Sequence, residues 1–227
     1  TWIKLASSVK ITDPKRLTEI GVDPSFNGSK LAKKFILNSG ISSLEGGSLK
    51  NRGGFDPTSP GLNSSYTYGQ YGYVPMPGII SADIKALNRG SIKKAQIKFK
   101  VSDTQQFQII DLLYLRLGYT VLLEWGNTMY TTNGEDKNFI RNTVIEKHFY
   151  KKDDFLQILK DIDRTRGIYS GNYDGFLAKI SNFSWDINDD GSYNINLTLI
   201  SLGDVVESLK TNLSPDLTTT KFVKYSK

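Results

Sequence analysis

The chain has no cysteine and only one histidine among its 227 residues. Disulfides, Cys/His zinc sites and thiol catalysis are therefore excluded. Any Ser–His triad would have to use His148. A lack of cysteine fits any compartment. No run of about 18 apolar residues occurs, the length a membrane-spanning helix needs, so no membrane insertion is expected. The opening residues lack the pattern of a secretory signal. They also lack an initiator methionine, and Thr1 reads as a start inside a longer protein. Dense basic clusters are missing too: Lys33–Lys34, Lys93–Lys94 and Lys151–Lys152 are scattered pairs. The net charge of +6 thus reads first as a solvated basic surface, and only second as a nucleic-acid patch.

What is present is alternation. Ile80, Ala82, Ile84 and Ala86 alternate with Ser81, Asp83 and Lys85, which predicts a strand with one buried face. Asn88-Arg89-Gly90 is turn chemistry. Ala95, Ile97, Phe99 and Val101 then alternate with Lys94, Gln96, Lys98 and Lys100. Ser102 and Gln105 have capping-box spacing ahead of a helix that carries Phe107, Ile110, Tyr114 and Leu117 on one stripe and stops at Gly118. Residues 119–125 are apolar on both sides, as in a central strand. A second helix begins near Asp153, with Phe155, Ile158, Leu159 and Ile162 at helical spacing, and ends at Gly167. Two long strands follow, Phe176 to Ile187 and Tyr193 to Ile200, joined by the hairpin turn Asn188-Asp-Asp-Gly191. The apolar phase of the first slips between Ile180 and Phe183, which predicts a bulge near Ser181–Asn182. In the second, Asn194, Asn196 and Thr198 form the polar side. A short helix is expected around Val205–Leu209.

Ser39 to Tyr73 is rich in Gly, Ser, Asn and Pro and reads as a long arm with local turns, its tyrosines Tyr66, Tyr68, Tyr71 and Tyr73 packing on something. Just before it, Leu31, Phe35 and Ile36 form a stripe too short to assign to helix or strand. The order of elements gives an α+β, mainly antiparallel β fold: a β-barrel or two crossed sheets with flanking helices. The organisation expected is an N-terminal segment over 1–74, a barrel domain over 75–210 and a C-terminal tail over 211–227.

Catalytic chemistry is hard to find. Gly46-Gly47 and Gly53-Gly54 lack the spacing of a phosphate loop. Asp186–Gly191 lacks the closing glutamate of a calcium loop and suits a hairpin turn better. Glu124 stands in an apolar strand and could be a perturbed acid. No second carboxylate is near it in sequence, so an ion pair with Lys or Arg of a neighbouring strand, or an edge position, is the favoured reading. His148 lacks a Ser–Asp context and reads as structural or exposed. Asn63, Asn182 and Asn196 begin glycosylation sequons, which carry little weight here. The expectation is no enzyme, no cofactor and no metal.

A resemblance emerges from the ordered series PMPGI, FQIIDLLYLRLGYTVLLEWG, NDDGSY and GDVVESLK, over about Pro75 to Lys210. It resembles a baseplate hub protein of contractile-tailed phages, a module also found in contractile injection systems. Asn127-Thr128 departs from the residues common after that glycine, and so does the Gly/Ser arm before PMPGI. The resemblance implies a tail-tube-like fold that forms a homo-oligomeric ring, expected as a trimer. It also implies attachment to tail tube or tube-initiator proteins, to the central spike and to the tape-measure protein. The location would be the tail baseplate of a virion assembled in the host cytoplasm. DNA would pass without sequence-specific binding. The faces expected to line a lumen or meet a neighbour are Lys94, Gln96, Lys98 and Lys100 with Asn194, Asn196 and Thr198. Two alternatives stand beside this one. A single-stranded nucleic-acid-binding β-barrel would use the same lysines, though no aromatic interleaves with them. A hydrolase fragment would rest on Glu124.

Overall fold

The computed structural model describes residues 1–45, 48–51, 66–69, 72–87, 92–132, 136–140, 143–151 and 154–202. Along the chain run β1 (Trp2–Ser7), α1 (Pro14–Glu19), α2 (Lys30–Lys34), β2 (Leu37–Glu45), β3 (Ser48–Asn51), β4 (Tyr66–Gly69) and β5 (Gly72–Pro75). There follow β6 (Gly78–Leu87), β7 (Ile92–Val101), α3 (Thr104–Tyr114), β8 (Thr120–Gly126), β9 (Met129–Thr132) and β10 (Asp136–Phe139). A π-helical turn (Ile145–Phe149), α4 (Phe155–Ile168), β11 (Tyr173–Ile187) and β12 (Tyr193–Ser201) complete it.

The strands close into a barrel. The order β1-β8-β11-β12-β7-β6-β2 returns to β1 through a β1–β2 pairing, and β3 extends β2 outside the ring. Every ring pairing is antiparallel except β2–β6, which is parallel and meets at Asn38 and Gly78. Closure removes most of the exposed sheet edge. Two of these strands, β1 and β2, come from the stretch expected to be a separate N-terminal segment. The barrel therefore draws on residues well before 75, and part of the low-order arm, residues 39–45, is strand. The tyrosines of that arm lie outside the described side chains, as does the region around Val205–Leu209.

Alternation decides which side each residue takes. Leu5, Ile97, Phe99, Val121, Leu123, Phe176, Ala178, Ile195 and Leu197 fill the interior with Ile110, Leu113 and Tyr114 of α3. Each such side chain contributes about 1.5–3 kcal/mol by leaving water. The Tyr114 hydroxyl donates to the carbonyls of Leu5 and Phe35, tying α3 to β1 and to the end of α2. A second cluster lies on the opposite face of β1, β8 and β11, where Trp2, Ala6, Leu122, Tyr173 and Leu177 meet Val144, Ile145, Phe149, Ile158 and Ile162. The π-turn and α4 thus cover one outer wall.

Several expectations meet the structure closely. The register of β11 against β12 shifts between Ile180 and Asn182, where the bulge was predicted. β8 is central, flanked by β1 and β11. Gly118 ends the α3 region with φ +81, a conformation that favours glycine. Others need correction. The cap of α3 is Asp103, whose carboxylate accepts the Gln106 N–H, while Gln106 reaches back to the Ser102 N–H. The box is one residue later than its Ser102/Gln105 spacing suggested, and Leu117 falls beyond the helix, 65% exposed. Gly167 lies inside α4, which runs on to Ile168. In β6 a register shift between Ile79 and Ser81 expels Ile80. Ala82 and Ile84 sit across from Ile97 and Ala95 in the interior phase, yet beyond Ile79 the strand stays largely exposed. Among the described residues β2 pairs with β6 only at Gly78, so the rest of the strand is a sheet edge and alternation there does not produce burial.

Candidate functional site: the bare barrel wall

The residues predicted to form a contact or lumen face are brought together by strand pairing. Lys94, Gln96, Lys98 and Lys100 of β7 oppose Ile200, Thr198, Asn196 and Asn194 of β12 in turn. β6 extends each row on one side: Lys85 faces Lys94, Asp83 faces Gln96 and Ser81 faces Lys98. β11 extends them on the other, with Lys179 beside Ile200, Asn182 beside Thr198, Ser184 beside Asn196 and Asp186 beside Asn194. This four-strand surface points away from the interior cluster, and no helix of the second cluster reaches it.

Its chemistry is that of a hydrated wall. Gln96, Lys98, Lys100 and Asn196 are exposed, and Lys94, Asn194 and Thr198 half-buried. Lysines outnumber the acids. Asp83 pairs with Lys85 at 3.1 Å, and Lys100 with Asp190 of the β11–β12 turn at 2.9 Å. Hydrogen bonds from Ser192 and Lys100 hold the exposed Asp190 carboxyl well below the usual carboxylate range. The same bonds show Asp190 shaping a turn. Among the described residues no group of His, Asp and Glu side chains could hold a metal ion.

The aromatic side chains gather elsewhere. Phe107 stacks on Tyr193 with centroids 4.4 Å apart and meets Trp185 edge-on at 5.1 Å. These rings occupy the interior phase at one end of the β11–β12 hairpin, since Trp185 pairs with Ile195 and Ile187 with Tyr193. Hence none of the described rings stands among the lysines of the bare wall.

Glu124 and His148 lie on the covered wall. Glu124 is fully buried, directly opposite Lys4 of β1. The neighbouring-strand lysine that the ion-pair reading expected is there in register, but its ammonium bonds Glu146 of the π-helical turn at 2.8 Å instead. His148 Nδ1 lies 3.9 Å from Asp161 of α4. At the barrel's end, Asp174 receives Lys93 at 3.0 Å and Arg166. Burial works to raise the Asp174 carboxyl, but these cations and their hydrogen bonds hold it below its ordinary value. A cleft of about 240 Å³ opens among Ser8, Lys10, Ser29, Thr120 and the apolar Phe149, Phe155 and Leu177. That is below the usual volume of a small-molecule site. Sequence reasoning missed Lys4 as a functional neighbour: it reads as one polar residue in a short strand, with its ion-pair partner Glu146 142 residues away.

Fold and surface define a class: a closed, seven-strand mixed β-barrel of mainly-β α+β type, with helices covering one wall. Searches of protein-family models, curated proteins and solved structures give no significant match to the chain.

Proposed function

We propose that this protein is a structural component of a contractile phage tail or a related injection system: the baseplate hub, linking tail tube to central spike and forming part of the ejection conduit. One observation carries the reading. Among the described residues no helix covers one wall of the closed barrel, which four strands line mainly with Lys, Asn, Ser, Thr and Gln. Such a surface binds water well and offers little to stick to, which suits a channel wall or a subunit seam. Three of the four motifs behind the resemblance fall at structurally demanding places, the start of β6 in PMPGI, the Gly118 stop with central β8, and the β11–β12 turn, while GDVVESLK lies outside the described residues. In this role the protein acts by assembly and turns over no substrate. It forms a ring with copies of itself, expected as a trimer, and contacts tube, spike and tape-measure proteins. The test is to mix the purified chain with the tail proteins of its own particle and image the mixture by electron microscopy. Rings or joint particles are expected. Their absence at micromolar concentration overturns the reading.

One feature favours a second reading. Lys85, Lys94, Lys98, Lys100 and Lys179 share the bare wall, so it could track a nucleic-acid backbone. That reading requires affinity for labelled single strands that falls steeply with salt. A titration without binding removes it.

A further inference from the structure

The barrel wall and its helical cover meet at one dry polar cluster. Glu124 of β8 has Lys4 of β1 on one side and Gly175 of β11 on the other. Over this row sits the segment 143–149. Lys4 Nζ donates to Glu146 Oε1 at 2.8 Å. Glu124 Oε2 accepts three bonds, from the Val144 N–H at 3.1 Å, the Ile145 N–H at 3.3 Å and the Tyr173 hydroxyl at 3.0 Å. The carboxyl thus ties the cover's first turn to β8 and, through Tyr173, to β11.

Among the described residues this cluster sets one ammonium against two carboxylates. Glu146 keeps a quarter of its side chain in water and holds the ammonium. Glu124 has no exposure at all. A carboxylate without water must be compensated or neutralised. Its Oε1 has no hydrogen-bond partner, and neither has the buried hydroxyl of Thr143 beside it. A proton on Oε1 removes the excess charge, and the Thr143 hydroxyl, which could donate to the ionised oxygen, can accept that proton instead. Oε2 then stays as the carbonyl that accepts all three bonds.

We propose that Glu124 is a proton-set clasp between the barrel and its cover: protonated, it holds the π-turn and α4 on the wall; ionised, it loosens them. Other titratable groups face this layer. On β1 it is Lys4; on the turn, Glu146 and His148, the latter directed to Asp161 of α4. On β11 it is Tyr173, with Asp174 next to it held by Lys93 and Arg166. Tyr150 follows the turn, donates to the Ala32 carbonyl and senses the Glu124 charge. Burial pushes the Glu124 carboxyl above its ordinary 4.5. Lys4 and the hydrogen bonds pull it down but are outweighed. A folded state that keeps the proton loses stability as pH rises. The contribution is complete below the ordinary value of 4.5 and is lost as pH climbs through the higher folded one.

The test uses the full chain as wild type, Glu124→Gln and His148→Gln. The glutamine keeps the Oε acceptor and adds an N–H for Thr143, with no proton to lose. Thermal midpoints and amide exchange of Val144 and Ile145 are followed from about pH 5 to 9. The wild type should lose midpoint with rising pH, and its Val144 and Ile145 protection, corrected for intrinsic exchange, should drop about tenfold. His148→Gln should behave the same, which removes the histidine as the cause. Glu124→Gln should be flat and match or exceed the wild type near pH 8. A fall that persists in Glu124→Gln overturns the proposal. If that variant does not fold, the carboxyl-carbon shift of Glu124 in the wild type decides. A midpoint above the ordinary 4.5 supports the clasp, and one at or below it overturns it.

Discussion

The two outer walls of the barrel share strand β11 yet treat lysine in opposite ways. On the β1–β8–β11 wall, Lys4 is 1% exposed, pinned to Glu146, with its ammonium 4.8 Å from the centre of the Trp2 ring. On the β6–β7–β12–β11 wall, Lys98 and Lys100 stand in water. The first lysine is bought with packing: it is tolerable only because an acid, a ring and a helical cover surround it. The others need nothing from the fold. The border between the walls falls along β11, where Tyr173 and Leu177 lie under the cover and Lys179, Asn182 and Ser184 do not. The bulge after Ile180 sits at that border. A wall that hides its polar groups under helices belongs to the fold, and a wall that leaves them bare is free for a partner.

That contrast breaks most sharply with one pair of substitutions. Lys4→Ala removes a buried side chain with its bond to Glu146 and opens space beneath the cover, and is expected to cost about 3 kcal/mol. Lys98→Ala on the bare wall should change stability by less than about 0.5 kcal/mol. Urea denaturation of both proteins measures the difference. Equal costs would mean that the walls are not distinct.

Gly126→Ala should come next, at about 2 kcal/mol. A Cβ at Gly126 would lie 2.6 Å from the Asn172 carbonyl, 3.1 Å from the Trp2 ring and 3.2 Å from Ile140. All three contacts are backbone or packed core, and none can yield cheaply. The same change at Gly167, which nothing approaches within 4 Å, should be neutral or slightly stabilising, since alanine favours a helix interior. Thermal melts of both variants check this.

How much of this could be read from the residues alone follows from range. β7 and β12 were legible because their alternation is unbroken and their interior residues are all buried. The bulge was legible as a slip of phase, and Gly118 as a stop. Local chemistry wrote those features. Barrel closure was not legible: β1 is short, and its pairing to β2 and β8 joins residues far apart in sequence. The exposure of β6 was not legible either, because its pattern is that of a buried strand, and its pairing to β2 at Gly78 alone, which leaves the rest an edge, is a long-range feature. At the candidate surface, the seven polar residues of β7 and β12 could be named from alternation. Their extension by Lys85, Lys179, Asn182 and Ser184 depends on registers that a bulge in each outer strand resets.

A smaller effect probes the seam between the walls. Asp174 is held below its ordinary 3.8 despite partial burial, by Arg166 of α4 and Lys93 of β7. Its contribution is present above that value and is lost as pH falls through the lower folded one. Asp174→Asn should cost about 1–2 kcal/mol at neutral pH and flatten stability in the acid limb below about pH 4. Acid titration followed by circular dichroism shows whether that limb is removed.

The smallest effect on stability should accompany the largest on association. Replacing Lys94, Lys98 and Lys100 by glutamate reverses the sign of the bare wall at positions whose side chains support no core contact. Among the described residues the Lys100–Asp190 pair is lost, and exposed pairs are worth about 0–1 kcal/mol. The triple variant should therefore melt within a few degrees of the wild type. If the proposed hub role holds, what it should lose is assembly, because the wall then presents the opposite sign to whatever it meets. Sedimentation and electron microscopy of the variant with the proposed tail partners give the measurement. A variant that folds but no longer assembles makes the bare wall the contact surface. One that assembles as before moves the contact to another part of the barrel, and the exposed length of β6 is then the surface to change next.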